Sequence, residues 1–219
     1  MTVTPRAGLR VRGRRAARVN GDDREAAILS TAEELLATRP FAAVSVDDLA
    51  RGAGISRPTF YFYFRSKDAV LLALLDHVVA EADRASAEAF ARPVTDSRQR
   101  WRAVIDVYRE TFSAHRAVTL AAAEQRVTNQ EVRETWARVA DGWVAACAAG
   151  IEAERRHGDA PPGLPARDLA VALTSLNERV IYGTLSGDRP ALAEDQVVDV
   201  LLGVWLSAIY RPADPTGPA

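Results

Sequence analysis

Apolar residues recur along most of this chain at the three- and four-residue spacing of amphipathic helices. One such stripe occupies residues 21–38 and ends before a proline, and a longer one runs over residues 67–91 before the next proline. From residue 96 onward the helical pattern continues, with breaks near residues 115–116, 127–129 and 158–165. No alternating run of β-branched residues interrupts it. The pattern therefore predicts an all-α fold, whose last two helices span about residues 166–185 and 194–210.

Residues 45–67 predict two short helices joined by a glycine turn. Ser45 can cap the first helix, because an acidic residue follows it three positions later, and Gly54 can supply the left-handed residue that ends this helix. Ser56 can cap the second helix, and Pro58 lies in its first turn, where the missing amide hydrogen costs nothing. The short connection is the one that a helix-turn-helix requires.

Five consecutive aromatic residues, 60–64, lie in the second of these helices. A helix cannot bury five consecutive side chains on one face, so Phe60 and Phe64 are predicted to be buried and the others to be exposed. Exposed arginine, threonine and tyrosine suit base edges and phosphates, and the only lysine of the chain follows at the start of the next helix. An ordinary packing motif is the alternative. The predicted DNA-binding residues are Ser45, Ser56, Arg57, Pro58, Thr59, Tyr61, Phe62, Tyr63 and Lys67.

Charge divides the chain into two parts, although its net charge is only −1. Residues 1–70 contain 12 basic and 8 acidic side chains, a balance of +4, whereas the remainder has 16 and 21, a balance of −5. Six arginines lie in the first eighteen residues without any acid among them. These residues are predicted to form a disordered arm that attracts polyanions such as DNA. A solvated tail without a partner is the alternative.

Composition favours a cytoplasmic protein. No stretch of about 18 uncharged apolar residues is present, and residues 1–20 lack the apolar core of a secretory signal. These residues also lack an apolar face for lying on a membrane surface, so no membrane partner is expected. A single cysteine, Cys147, excludes an intrachain disulfide and fits a reducing compartment.

The sequence does not predict an enzyme. His77, His115 and His157 are scattered, without metal-ligand spacing and without a paired nucleophile. Cys147 stands among alanines on an apolar stripe, which indicates a small core residue. We therefore expect no catalytic residue, no metal site and no cofactor.

All four tryptophans lie after residue 100, in the C-terminal part of the chain. Three of them belong to the aromatic faces of two predicted helices, and the fourth lies near the C-terminus. Residues 101–112 carry one of these faces, and residues 136–147 carry the other. Aromatic stripes of this kind usually form a packed core. Small neighbouring residues, the alanines at 121–123 and the Ala-Ala-Cys-Ala-Ala run at 145–149, leave room opposite the large rings, so an apolar pocket for a small molecule is the other interpretation.

The segment from Thr59 to Lys67 resembles the core motif of the TetR family of one-component transcriptional regulators, with its threonine, its aromatic run and its final serine and lysine. This resemblance implies a nine-helix fold. A three-helix DNA-binding domain is then expected over residues 21–67, and a six-helix ligand-binding and dimerisation domain over residues 68–211. A disordered arm over residues 1–20 and a disordered tail over residues 212–219 would flank them.

A wider resemblance, carried by segments such as 13–15, 21–25, 177–179 and 205–210, relates almost the whole chain to actinobacterial repressors of this family. It implies a homodimer on a palindromic DNA operator, released by a long apolar small molecule and controlling a monooxygenase-type gene. A DNA-binding regulator with a filled core and no effector is the alternative. The resemblance also implies an apolar tunnel whose lining residues are Trp101, Tyr108, Phe112, Trp136, Trp143, Thr174, Asn177, Tyr182 and Trp205.

Overall fold

The computed structural model describes residues 12–91 and 96–211, with the side chains of residues 12–20 excepted. Within these ranges the chain forms nine α-helices, two short 3-10 turns at Phe41–Ala43 and Glu194–Gln196, and no strand. The prediction of an all-α, nine-helix fold is confirmed. The helices are α1 Arg12–Leu36, α2 Val46–Gly52, α3 Arg57–Tyr63, α4 Lys67–Ala91, α5 Ser97–Ala114, α6 Arg116–Gln125, α7 Gln130–His157, α8 Ala166–Ser186 and α9 Val197–Tyr210.

Two compact units make up the chain, the first ending at Leu71 and the second beginning at Leu72. The division therefore falls within α4, shortly after the domain boundary expected at residue 67. The first helix starts earlier than the sequence predicts, because α1 begins at Arg12 and includes residues that were expected to belong to a disordered arm. Arginine and alanine, which are good helix formers, dominate that stretch. Residues 1–11 of the expected arm and the expected tail over 212–219 lie outside the described residues.

The helix-turn-helix of the first unit has the caps that its sequence predicts. Ser45 and Asp48 form a reciprocal capping box, with both backbone-to-side-chain hydrogen bonds at 3.1 Å. The hydrogen bonds from Ser45 hold the pKa of the Asp48 carboxyl below its ordinary value. Gly54 has a φ of +66°, which a glycine adopts without strain and which turns the chain towards α3. Local hydrogen bonds therefore fix both ends of the turn.

Lys67 has structural partners that the sequence analysis did not predict. Its ammonium group donates hydrogen bonds to the backbone carbonyls of Phe41 at 3.0 Å and of Val44 at 2.9 Å, with Ala42 at 3.4 Å, and it lies 4.5 Å from the centre of the Phe41 ring. An ammonium has three hydrogens to donate. These carbonyls take up that capacity, so Lys67 joins α4 to the loop after α1, and its contact with a DNA phosphate stays a prediction.

A buried carboxylate joins three helices of the second unit. Glu154 of α7 is almost completely buried, and it accepts hydrogen bonds from the hydroxyl of Ser97 at 2.5 Å and from that of Tyr210 at 3.1 Å. The guanidinium of Arg100 forms an ion pair with the same carboxylate. Trp101 in turn donates from its indole nitrogen to the Tyr210 oxygen at 2.9 Å. These bonds fix α5 and α9 against α7, and α8 packs along α7 as well.

Replacing Lys67 with methionine tests its structural role. We expect the Lys67→Met variant to lose about 1.5–3 kcal/mol of unfolding free energy, because hydrogen bonds from a charged donor disappear and the carbonyls that they satisfied stay partly buried. Urea unfolding followed by circular dichroism measures this loss. The control is Arg57→Met, at an exposed arginine on α3, which we expect to unfold close to wild type. Wild-type stability of Lys67→Met would contradict the structural role.

Candidate nucleic-acid interface and ligand cavity

The sequence of α3 explains why this short helix forms at its position. The hydroxyl oxygen of Ser56 accepts a hydrogen bond from the backbone N–H of Thr59 at 3.3 Å, and Pro58 lies in the first turn. Phe60 is fully buried and Phe64 nearly so, with their ring centres 6.1 Å apart. These two rings attach α3 to the first unit by one face, as predicted, and leave its other side to solvent.

The outer side of α3 carries unusually large exposed aromatic surface. Phe62 is 84% exposed and Tyr61 is 46% exposed, and both are large hydrophobic side chains. Tyr63 is half-buried and meets Phe62 edge to face, with ring centres 5.4 Å apart. Exposed apolar residues of this size usually indicate a binding surface.

Arg57 is held in place by two neighbours. Its guanidinium forms an ion pair with Asp47 of α2, with the nearer nitrogen and oxygen 3.2 Å apart, and donates to the Tyr61 hydroxyl at 3.3 Å. The guanidinium carbon also lies 5.8 Å from the centre of the Tyr61 ring. The Tyr61 hydrogen bond and then the Asp47 carboxylate raise the pKa of Arg57, so the side chain stays charged. The sequence analysis did not predict the ion pair between Asp47 and Arg57. The two residues are ten positions apart and lie on different helices, so helical periodicity does not indicate their contact.

Among the remaining predicted DNA-binding residues of the first unit, the hydroxyl groups are hydrogen-bonded within the protein, whereas Pro58 is exposed. The hydroxyl groups of Ser56 and Thr59 are 2.8 Å apart, so they bond to each other, and the Ser45 hydroxyl is engaged by Asp48 at 2.7 Å. Pro58 is exposed on the first turn of α3. Arg57, Tyr61 and Phe62 thus offer the largest exposed groups, while the serines act chiefly as caps.

The second unit contains a small cavity of about 20 Å³ between α4, α5, α7 and α8. This volume is room for about one water molecule. A pocket that holds a drug-sized ligand measures about 300–1,000 Å³, so this cavity of the described residues is much smaller than the long tunnel implied by the resemblance, which stays a prediction. The residues that line the cavity are Leu75, Val79, Tyr108, Phe112, Trp136, Val139, Ala140, Trp143 and Glu178.

Four of the predicted ligand residues do meet at this cavity. Tyr108 and Phe112 come from successive turns of α5, with ring centres 4.6 Å apart, and Trp136 and Trp143 come from one face of α7. The ring of Tyr108 also meets that of Trp143 edge to face at 5.0 Å. Aromatic rings therefore form two opposite walls of the cavity.

The other predicted ligand residues do not line this cavity. Trp205 donates its indole N–H to the side-chain oxygen of Asn177 at 3.0 Å, and its ring lies 5.3 Å from that of Trp101. Asn177 thus has the partner that its burial requires. The Thr174 hydroxyl donates to the carbonyl of Ala170 in its own helix at 2.8 Å. Tyr182 is half-buried and is not among the lining residues.

Glu178 is the charged residue among the lining residues that the sequence analysis did not predict. Its carboxylate accepts from the guanidinium of Arg126 at 2.6 Å, and this guanidinium lies 4.7 Å from the centre of the Trp136 ring. The ion pair therefore gives an otherwise apolar cavity one polar edge. The segment 177–179 had been singled out from the sequence, but helical spacing alone did not show that Glu178 rather than Asn177 reaches the cavity.

Trp143 has an unpaired polar group at this cavity. The residue is 4% exposed, and its indole nitrogen is buried without a hydrogen-bond partner among the described residues. The neighbouring Tyr108 lines the same cavity. Burial, followed by the nearby Glu178 carboxylate, raises the pKa of Tyr108, so its hydroxyl keeps its proton.

The described residues contain neither a reactive thiol nor a cluster of side chains suited to a metal ion. Burial raises the pKa of the Cys147 thiol to about 12, which keeps it protonated and unreactive at neutral pH. No group of three or more histidine, cysteine, aspartate or glutamate side chains is arranged for a metal ion in residues 12–91 and 96–211. Over the same residues, no helix has the length and hydropathy needed to cross a membrane.

Comparisons with known proteins agree with this organisation. Residues 28–74 match the family described as bacterial regulatory proteins of the tetR family, and residues 101–211 match the C-terminal domain of the transcriptional regulator EthR. The regulator EthR of Mycobacterium tuberculosis is 53% identical over 200 residues, which cover 91% of this chain and 93% of that protein. EthR of Mycolicibacterium smegmatis is 47% identical, with 95% of each chain covered.

A solved structure supports the fold independently of close sequence similarity. The fatty acid degradation regulator FadR of Bacillus halodurans superposes with a TM-score of 0.67 at 19% identity, over 82% of this chain and 95% of that one. The matched families consist of transcriptional regulators and not of enzymes, in agreement with the sequence analysis. The chain belongs to the TetR family of bacterial transcriptional regulators, and its residues 101–211 form a C-terminal domain of the EthR type.

Proposed function

We propose that this regulator is a homodimeric repressor that reads a palindromic DNA operator with α3 and is released when an apolar small molecule enters the cavity of its second unit. The observation that carries the DNA-reading part is the outer side of α3, where Arg57 is held beside the exposed rings of Tyr61 and Phe62. Arginine is the side chain that most often reads guanine in the major groove, and tyrosine hydroxyls bond phosphates. We also propose that the protein lies in the cytoplasm, which is where a bacterial regulator meets chromosomal DNA.

Asp47 and Tyr61 support the proposed reading by Arg57. A guanidinium that is already oriented loses less side-chain freedom when it meets a base edge. The carboxylate of Asp47 also repels phosphates, so it favours a base contact over a backbone contact for Arg57. Ser45, Ser56, Pro58, Thr59 and Tyr63 are proposed to position α3 and to approach the backbone around it.

Exposed valines on the last two helices support the homodimer. Val171 of α8 is 40% exposed, and Val200 and Val204 of α9 are each 42% exposed. Two-fold symmetric pairing would bury these residues against their counterparts in a second copy. A dimer places two recognition helices about one turn of DNA apart, which matches a palindrome.

The effector part of the proposal depends on the cavity walls. Trp136, Trp143, Tyr108 and Phe112 surround the cavity, and they would have to move apart to admit a ligand larger than water. Leu75 and Val79 of α4 line it too, and α4 is the helix whose first turn holds the helix-turn-helix loop through Lys67. A ligand that displaces α4 would therefore alter the DNA-binding end of the same helix. Opposed binding of ligand and operator needs a coupling of only about 1–3 kcal/mol.

One observation favours a second candidate function. A cavity of about 20 Å³ is close to a filled core, which is what a DNA-binding regulator without a small-molecule effector would show. Trp101, Asn177 and Trp205 bond to neighbours in the second unit, as core residues do. Control of a monooxygenase-type gene rests on the resemblance to EthR alone and is proposed on that basis.

Operator binding is tested by fluorescence anisotropy with DNA from the intergenic regions beside the protein's own gene, in about 150 mM salt with random DNA as competitor. We expect saturable binding that survives the competitor. Arg57→Ala is expected to weaken it about tenfold or more, because one base contact is lost. The charge-matched control is Arg156→Ala at the end of α7. Equal weakening by both variants, or none, would place the reading of DNA elsewhere.

Dimerisation is tested by sedimentation at micromolar concentration. We expect wild type to sediment as a dimer of the 23.7 kDa chain and Val200→Asp to sediment as a monomer, because a buried, unpaired carboxylate at the interface is costly. Val127→Asp is the matched control, since Val127 is 74% exposed in a loop and far more accessible than Val200. A monomeric wild type would rule out the homodimer.

A further inference from the structure

We propose that Phe62 is a specificity-determining residue, whose ring packs against the 5-methyl group of a thymine in the major groove of the operator. This inference deepens the proposed function and rests on it, because it requires that α3 lies in that groove. It names one base of the operator and the group on that base which the protein recognises. A phenylalanine ring has no hydrogen-bonding group, so Phe62 needs another kind of contact with DNA than Arg57 does.

The first observation behind the inference is the exposure of the Phe62 ring. Phe62 is 84% exposed, compared with 74% for Val127 and 67% for Leu164. Val127 and Leu164 lie in loops, whereas Phe62 lies within a helix whose other face is buried. A large apolar ring that is kept in water on an ordered helix indicates a surface that becomes covered on binding.

The second observation is the position of Phe62 around α3. Successive residues of an α-helix are about 100° apart, so a side chain two positions away lies on nearly the opposite side. Phe62 is two positions from Phe60, the fully buried ring that attaches α3 to the first unit. Phe62 therefore points away from the buried face. A groove that receives the outer side of α3 would have Phe62 near its floor, where the base edges lie, rather than at its rims, where the phosphates lie.

The residues around Phe62 make this part of α3 apolar and hold the ring in place. Tyr63 meets the Phe62 ring edge to face, with 5.4 Å between the ring centres. Pro58 is exposed and lies four positions before Phe62, so the two residues are on the same side of the helix. Arg57 and Tyr61, also four positions apart, are hydrogen-bonded to each other. The outer side of α3 therefore has a polar stripe beside an apolar one.

The thymine methyl is the group of the major groove that an apolar ring fits. Base edges in this groove present hydrogen-bond donors and acceptors and, on thymine alone of the four standard bases, a 5-methyl group. Packing Phe62 on a donor or an acceptor would remove water from that group without replacing its hydrogen bond. Packing the ring on the methyl group buries two apolar surfaces instead. Because the guanidinium of Arg57 suits a guanine, we expect a guanine and a thymine close together in each half-site.

DNA duplexes that differ only in this methyl group test the inference. The full-length protein first selects its operator from a pool of random duplexes. The selected duplex is then synthesised with uracil, which lacks the 5-methyl group, in place of each thymine in turn. Fluorescence anisotropy in about 150 mM salt measures the affinity for each duplex. We expect one thymine in each half-site whose replacement weakens binding about fourfold, which corresponds to the burial of one methyl group.

Variants of the protein show whether Phe62 makes this contact. We expect Phe62→Ala to bind the thymine and uracil duplexes with nearly equal affinity, and Phe62→Leu, which keeps an apolar side chain, to retain part of the preference for thymine. Arg57→Ala is expected to weaken binding to both duplexes and to keep their ratio, because it removes a different base contact. Val127→Ala, at an exposed apolar residue of the second unit, is the matched control and is expected to bind both duplexes like wild type. Phe62→Ala is expected to unfold at the wild-type temperature, since the ring is exposed.

The outcomes distinguish this inference from the proposed function. If a sequence is selected but uracil replaces each thymine without loss of affinity, the inference is overturned and the reading of an operator stands. If the loss caused by uracil persists in Phe62→Ala, another residue or the shape of the DNA is responsible, and the inference is overturned as well. If the protein selects no sequence, the proposed reading of an operator fails and the inference fails with it.

Discussion

The buried carboxylate of Glu154 is the constraint on which the second unit depends. A carboxylate in an apolar interior is tolerated only when hydrogen bonds and an opposite charge satisfy it. Ser97, Arg100 and Tyr210 supply them from α5 and α9, so these helices have one arrangement around α7. Because α7 also carries Trp136 and Trp143, the same bonds fix the position of the cavity wall.

Hydrogen-bond partners also distinguish polar residues that have a structural role from polar residues whose groups are available for binding. Lys67 and Asn177 were both attractive binding candidates by residue type, yet each has partners that fulfil a structural requirement. Trp143 has no such partner among the described residues. Chemical type alone did not distinguish these cases, whereas hydrogen bonding does.

Sequence reasoning succeeded where the determinants are local. Ser45, Ser56 and Gly54 act through groups within four residues of themselves, and the structure contains the caps and the left-handed turn that were predicted from them. The burial of Phe60 and Phe64 follows from helical spacing in the same way. The early start of α1 was missed because a cluster of charged residues was interpreted as disorder, although its arginines and alanines favour helix.

Long-range pairs could not be predicted, because nothing within one helix indicates which side chain of another helix will meet it. Asp47 with Arg57, Arg126 with Glu178, and Lys67 with the carbonyl of Val44 all join separate elements. The size of the ligand cavity could not be predicted for a related reason. Periodicity shows which face of a helix is apolar, but the volume between two such faces depends on how closely their rings pack. Tyr108 and Trp143 meet at 5.0 Å, so a ligand that separates them must offset that contact with one of its own.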